Sequence, residues 1–201
     1  SESYADKIKY AFLFPAHRAP GQVWIYHTSD TFIATRAMNN YLVRQEGGGA
    51  DIFNFVRDEV YLRLHMSLGG LTTLRTDNSP TGEPFGGYGL FWTRDDIAKI
   101  ALLLDDQEGQ INGTQVLEPG LLAASMQQDP SDRGLNTTGI PIFKYRDGFW
   151  GKQWTPAENR RYSCTFWTPF MSGYGGITVV LMPNGSIYYY FSDNNEFSWY
   201  E

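Results

Sequence analysis

The sequence lacks the features that define several common protein classes. One cysteine, Cys164, occurs in 201 residues, so no disulfide can form within the chain. Basic residues are not in excess: 16 Lys and Arg against 22 Asp and Glu give a net charge of −6, unlike a nucleic-acid-binding protein. No run reaches the roughly 18 apolar residues of a membrane span. The 42% hydrophobic and 16% aromatic content instead indicates a folded globular protein.

Most catalytic signatures are also missing. The chain contains no Gly-x-Ser-x-Gly elbow, Walker loop, His-Glu-x-x-His or Cys-x-x-Cys sequence. The three histidines, His17, His27 and His65, are too far apart in the sequence to suggest a metal site, and we predict neither a metal nor a cofactor. Cys164 stands in "RYSCTFW", which reads as a strand, so we expect a buried, unreactive thiol.

Helical patterns fill the first two-thirds of the chain. The segment before residue 23 is turn-rich and is predicted to be mostly irregular, with at most one short helical turn. A helix follows, capped by one of the polar residues at 28–30 and ended by "EGGGA". Asp51 is predicted to cap a second helix. Thr93 is predicted to cap another, with Asp96 at the reciprocal position of a capping box.

Alternating aromatic and β-branched segments fill the last third. Pro-Asn-Gly at 183–185 is predicted to join the last two segments as a hairpin. Helices followed by an antiparallel sheet favour an α+β fold. We predict one domain over residues 1–201, with a helical lobe at about 20–139 and a sheet lobe at about 140–201.

Glycine is concentrated at one apolar segment, "MSGYGGITVVLMPNG". Gly173, Gly175 and Gly176 precede its β-branched run, although glycine weakens a strand. A strand that opens in this way commonly lets a ligand approach its backbone, and a β-bulge without a ligand is the alternative.

Four segments, in order, resemble the serine β-lactamase and penicillin-binding protein family, in particular its class C β-lactamase and esterase branch. They are "PGQVWIYHTSDTFIATRAM", "VYLRLHMS", "GGYGLFWTRDDIAKIALLLDD…G…VLEP" and "GFWGKQW…FMSGYGGITVVLMPNG". The resemblance covers about Pro20 to Asn194 and implies a β-lactamase/transpeptidase-like fold. No serine here has a lysine three residues on, so the family's Ser-x-x-Lys nucleophile segment is absent. We expect the fold to be incomplete at its N-terminus.

The resemblance implies roles for two residues near the start of the matched region. Tyr26 stands where the family has the tyrosine of Tyr-x-Asn, beside the nucleophile, and would act as general base and then acid. Thr28 replaces the asparagine of that motif, which normally donates to the substrate carbonyl. A shorter hydroxyl at this position mildly favours an esterase- or amidase-like variant over a β-lactamase.

The resemblance also implies roles near the end of the chain. Gly173, Tyr174 and Gly175 stand in place of Lys-Thr-Gly, and the Gly176 N–H would be the oxyanion donor. The family's cation is therefore missing at Gly173, which argues against penicillin-like substrates. Trp154 is predicted either to wall the cleft or to pack the sheet against helices.

Two functions remain open, with a third disfavoured. The first is part of a serine hydrolase that cleaves an ester or amide through an acyl-enzyme, its nucleophile supplied by a missing upstream segment. The second is a non-catalytic binding or scaffold protein. A hydrolase using His27 with Ser29 or Ser172 is disfavoured because neighbours on one helical turn cannot easily reach each other. We expect a companion N-terminal segment or an oligomer partner; by family resemblance the location is periplasmic or secreted, with the cytoplasm also open.

Overall fold

The structure, a computed structural model, describes residues 4–15, 18–76, 79, 82–139, 142–192 and 194. Within them the chain is α+β, with five α-helices, a six-stranded antiparallel sheet and a two-stranded sheet, so the predicted class is confirmed. The chain divides into two compact units: Ser1–Ala19 with Tyr26–Lys99, and Pro20–Ile25 with Ile100–Glu201. No helix of the described residues is both long and apolar enough to cross a membrane.

The first unit is helical. Its elements are α1 (Tyr4–Leu13), α2 (Thr28–Glu46), α3 (Ile52–Val56), a π-helical turn (Arg57–Tyr61), a 3₁₀ turn (Gly69–Leu71) and the first half of α4 (Arg94–Leu104). Helix α1 corrects the prediction of an irregular N-terminal segment. Its sequence, "YADKIKYAFL", is rich in good helix formers, and Asp6 lies in its first turn, where a negative charge is favoured.

Helix α2 begins one residue away from its predicted cap. His27 occupies the N-cap position with extended backbone and makes no side-chain cap hydrogen bond, so Thr28 is already the first helical residue. The helix buries Phe32, Thr35 and Asn39, spaced three and four residues apart. Asn39 Oδ1 accepts a hydrogen bond from Ile52 N at 2.8 Å, which fixes the start of α3.

Asp51 is the N-cap of α3, as predicted. Its Oδ1 accepts from Asn54 N at 2.8 Å, and its Oδ2 accepts from Arg75 Nη1 at 2.7 Å. Burial alone would raise the pKa of Asp51. The hydrogen bonds from Arg75 and Asn54 outweigh burial, so the pKa lies below its ordinary value.

The predicted capping box of α4 is present. Thr93 N donates to Asp96 Oδ2 at 2.9 Å, and Asp96 N donates back to Thr93 Oγ1 at 3.2 Å. Two backbone donors at the helix start are thereby satisfied. Ile97, Ile100, Ala101 and Leu103 on this helix are buried.

The second unit contains both sheets. A hairpin of β1 (Gln110–Ile111) and β2 (Thr114–Gln115) leads to α5 (Pro119–Ser125). The larger sheet then runs in chain order, each strand antiparallel to the one before it. Its strands are β3 (Leu135–Asn136), β4 (Phe143–Arg146), β5 (Phe149–Trp154), β6 (Phe166–Gly173), β7 (Ile177–Leu181) and β8 (Ile187–Phe191).

One face of this sheet carries an aromatic core. Trp150 lies opposite Phe170, which in turn lies opposite Val180, so their side chains share a face. Phe143 packs edge-on against Phe170, with ring centroids 5.1 Å apart. Phe143, Phe170 and Val180 are almost fully buried, and this packing holds the central strands together.

Cys164 differs from its prediction. It lies in a bend before β6, which begins at Phe166, and it is exposed. The expected strand through "RYSCTFW" therefore starts two residues after the cysteine. A residue outside the ladder has no sheet to bury its side chain, so the buried thiol is wrong.

Candidate functional site

The glycine cluster forms a tight reversal between two strands. Gly173 ends β6 and lies opposite Ile177, the first residue of β7, while residues 174–176 make the turn. Gly175 and Gly176 have φ angles of 90° and 83°, in the region that favours glycine. The expectation that these glycines open a strand is therefore corrected: the turn geometry requires two of them.

The turn is open on its outer side. The Tyr174 side chain is 92% exposed, and a Cβ on Gly175 would meet nothing within 4 Å. Gly176 is buried, and its carbonyl accepts from Ser192 N at 3.1 Å, at the end of the β7–β8 pairing. Exposed backbone at Gly173 and Gly175 next to a fixed Gly176 can admit a small ligand to the chain itself.

Tyr26 and Thr28 lie at the start of α2. Tyr26 immediately precedes the N-cap residue, and its side chain is 54% exposed. Thr28 is also exposed, and its methyl group packs against Gly87, where an added Cβ would come within 2.7 Å of it. The phenol is thus accessible to solvent, and the glycine at 87 lets its loop lie against the helix start.

The predicted site residues fall into separate groups. Tyr26 and Thr28 belong to the first unit, whereas Trp154 and the glycine turn belong to the second. Trp154 lies opposite Phe166 at the start of β6, and Gly173 ends that strand. At about 3.3 Å per residue, the two ends of β6 are about 23 Å apart. The structure does not bring Trp154 next to the glycine turn.

Trp154 packs within the sheet instead. Its Nε1 donates to Thr168 Oγ1 at 2.8 Å, and its ring lies edge-on to Tyr162 at 5.8 Å. Thr168 is fully buried. These contacts match the second of the two roles predicted for Trp154, packing rather than walling a cleft.

A buried lysine beside Trp154 was not predicted from the sequence. Lys152 is 2% exposed; its Nζ donates to Glu158 Oε1 at 2.5 Å and to the Gln153 carbonyl at 3.2 Å. The same nitrogen lies 3.9 Å from the centre of the Trp154 ring. The hydrogen bond from Lys152 is the main reason why the pKa of Glu158 is lowered. With its donors occupied inside the protein, this ammonium stabilises the sheet end rather than acting as a catalytic base.

Ser67 is a second residue that sequence reasoning did not select. Its N–H and its hydroxyl donate to the Asp96 carboxylate at 2.7 Å and 2.5 Å. Burial would raise the pKa of Asp96, but the hydrogen bonds from Ser67 and Thr93 outweigh it and lower the pKa to about 2. A carboxylate this weakly basic cannot activate the serine near neutral pH. The pair is therefore a structural anchor, and only its capping-box half had a sequence signal.

Metal binding finds no support among the residues that the structure describes. No group of three or more His, Cys, Asp or Glu side chains in that part of the chain is placed to hold an ion. His17 lies outside the described residues.

Comparison with known proteins adds no family assignment. No protein-family model matches the sequence, and no curated protein matches it.

Proposed function

We propose that this chain is part of a serine hydrolase related to the β-lactamases and penicillin-binding proteins. The observation that carries the proposal is the order of four motif-like segments between about Pro20 and Asn194. The proposal includes the fold: a β-lactamase/transpeptidase-like arrangement of helices and an antiparallel sheet. Its substrate class is an ester or amide, hydrolysed through an acyl-enzyme.

Local structure within the motifs supports this proposal. In the first motif, Tyr26 is exposed directly before a 19-residue helix. In the third, Thr93 and Asp96 form a capping box that starts α4. In the fourth, Gly175 and Gly176 adopt backbone angles that other residues rarely adopt. Each motif thus has a definite backbone geometry.

The chemistry assigns a proton-transfer role to Tyr26. A serine hydroxyl from a Ser-x-x-Lys segment would attack the substrate carbonyl and pass its proton to the Tyr26 phenolate. The resulting phenol would then protonate the leaving alcohol or amine. Water would cleave the acyl-serine ester by the reverse proton transfers. General acid–base catalysis of this kind contributes about 10²- to 10⁴-fold in rate.

The remaining roles concern the substrate carbonyl. The Gly176 N–H would donate to the developing oxyanion, a contact worth about 3 kcal/mol in the transition state. Gly173, Tyr174 and Gly175 would line its approach, and the Thr28 hydroxyl would donate to a substrate oxygen. Trp154 is left outside this set because it lies at the opposite end of β6.

Complementation tests the proposal directly. The proposal needs a serine and a lysine in Ser-x-x-Lys spacing, which these 201 residues do not contain. We expect the chain alone to hydrolyse no chromogenic ester and to react with no fluorophosphonate. Adding a segment that carries Ser-x-x-Lys should restore both. Activity in the chain alone would contradict the proposal.

A single phenol then separates mechanism from packing. In the complemented protein, Tyr26→Phe should reduce kcat by at least about 100-fold, because the proton carrier is removed. Tyr41→Phe is the matched control, since Tyr41 is a 66% exposed tyrosine on α2. Equal activity in the two variants would remove Tyr26 from the mechanism.

A second candidate is a non-catalytic binding protein that kept the fold. The specific observation in its favour is that no serine has a lysine three residues on, together with Gly173 at the family's cation position. It predicts that the complemented protein still fails to react with a fluorophosphonate. Labelling of the added serine would exclude it.

A further inference from the structure

The two edges of the larger sheet are different. At one edge β3 has two residues, Leu135 and Asn136, whereas at the other β8 runs for five residues, from Ile187 to Phe191. In the part of the chain that the structure describes, no strand pairs with the outer side of β8. A long edge strand presents a row of unpaired backbone donors and acceptors, and a very short one does not.

Strand β8 carries none of the usual protections of an edge. No charged residue occurs from Met182 to Ser192, and the strand itself contains no proline. It pairs with β7 residue by residue, without a bulge. Tyr188, Tyr189 and Phe191 are 48%, 40% and 37% exposed. An uncharged aromatic strand of this kind favours the addition of another strand.

The β7–β8 ladder fixes which backbone groups face outward. Met182 N donates to Ser186 O at 2.9 Å, and Ser192 N donates to Gly176 O at 3.1 Å. Hydrogen-bonded pairs alternate along an antiparallel ladder, so Tyr188 and Tyr190 direct their N–H and C=O groups toward β7. The N–H and C=O groups of Ile187, Tyr189 and Phe191 therefore point away from the sheet.

We propose that β8 pairs antiparallel with β8 of a second copy of this chain. A two-fold axis at Tyr189 would place Tyr189 opposite its counterpart and Ile187 opposite Phe191. Each outward residue would then exchange both of its backbone hydrogen bonds with the other copy.

Charge is the reason for a second copy as the occupant. The chain has a net charge of −6, so most approaches of two copies are repulsive, but the segment from Met182 to Ser192 carries no charge. The outward pattern is also self-complementary, because its three residues are symmetric about Tyr189. This inference does not depend on the proposed hydrolase activity.

Hydrogen exchange combined with sedimentation tests the pairing. We expect a monomer–dimer equilibrium of the full chain. In the dimer, the amides of Ile187, Tyr189 and Phe191 should be protected, and on dilution to monomer they should exchange quickly. The amides of Tyr188 and Tyr190 should stay protected in both states, because they bond to β7. A monomer at all concentrations, or a dimer without this alternation, would overturn the proposal.

Two substitutions at one position test the edge itself. Tyr189→Pro removes an outward N–H without removing a β7–β8 hydrogen bond and should abolish the dimer. Tyr189→Lys adds a charge at the symmetry axis and should weaken dimerisation by at least about tenfold. Leu121→Lys, on α5, makes the same change of charge at a side chain that is 70% exposed and should leave dimerisation unchanged. An undiminished dimer in folded Tyr189→Lys protein, or capture of β8 by a different polypeptide, would refute the second copy.

Discussion

The Asp96 carboxylate accepts two hydrogen bonds from Ser67, which lies 29 residues earlier in the chain. It also accepts the N–H and hydroxyl of Thr93, and its side chain is fully buried. Asp96→Asn replaces one oxygen with an amide that cannot accept. We expect the free energy of unfolding to fall by about 3 kcal/mol, measured by urea denaturation, because buried donors lose a charged acceptor.

The neighbouring acid supplies the control. Asp95 is on the same helix turn, but its side chain is 76% exposed and pairs with Lys99 at the surface. Asp95→Asn should change the free energy of unfolding by no more than about 0.5 kcal/mol. Equal losses in the two variants would show that Asp96 is not an anchor.

The low pKa of Asp96 makes stability depend on pH. Its carboxyl has a pKa of about 2 in the folded protein against an ordinary value of 3.8, so the folded state favours the ionised form. This contribution is fully present above pH 3.8 and is lost as the pH falls through the folded pKa. The difference corresponds to about 2 kcal/mol. Urea unfolding between pH 5 and pH 2 should show this loss in the wild type and a smaller one in Asp96→Asn; identical slopes would contradict it.

The buried Lys152 ammonium gives a prediction about paired charges. Glu158→Gln leaves the ammonium without its anion and should destabilise the protein by about 2 kcal/mol, less than a fully buried pair because water reaches Glu158. Adding Lys152→Met removes the buried charge and should recover most of the loss. Thermal unfolding of both variants decides the matter: no recovery would show that Lys152 acts through something other than its charge.

Gly151 is predicted to tolerate no side chain. A Cβ at this position would overlap Gln127 Oε1 and the ring of Trp167. Gln127 is 1% exposed and links the two, since Trp167 Nε1 donates to its Oε1 at 3.1 Å. Gly151→Ala should therefore cost about 3 kcal/mol in the free energy of unfolding.

A second strand glycine is the control for Gly151. At Gly173 the nearest atom to an added Cβ is Ile177 Cβ at 3.7 Å, an ordinary contact. Gly173→Ala should change the free energy of unfolding by at most about 0.5 kcal/mol in the same urea titration. A comparable loss at both positions would mean that glycine is needed for chain flexibility rather than for space.

Local signals predicted the helix starts and the final hairpin well. The Asp51 cap, the Thr93–Asp96 capping box and the Pro-Asn-Gly turn each depend on residues within four positions of one another. The α+β class followed from the change of periodicity along the chain. These features are readable because the interacting residues are close in sequence.

Nonlocal contacts were not predictable in the same way. The Ser67–Asp96 contact joins residues far apart in sequence, and no periodicity marks Ser67. Lys152 and Glu158 are six residues apart across a turn, and their pairing depends on where β5 ends. The glycine turn was read as a strand start because glycine is compatible with both a strand and positive φ, and only the backbone angles distinguish them.

The order of the larger sheet has a consequence for how the chain folds. Every strand from β3 to β8 pairs with its neighbour in sequence, so each pairing closes a short loop. Loop closure of this kind costs little entropy, and sheets built from local contacts form faster than those with distant pairings. We therefore expect the sheet to assemble hairpin by hairpin, with the connection at 183–185 among the earliest turns to form. Amide protection in refolding experiments should reach β7 and β8 before it reaches β3.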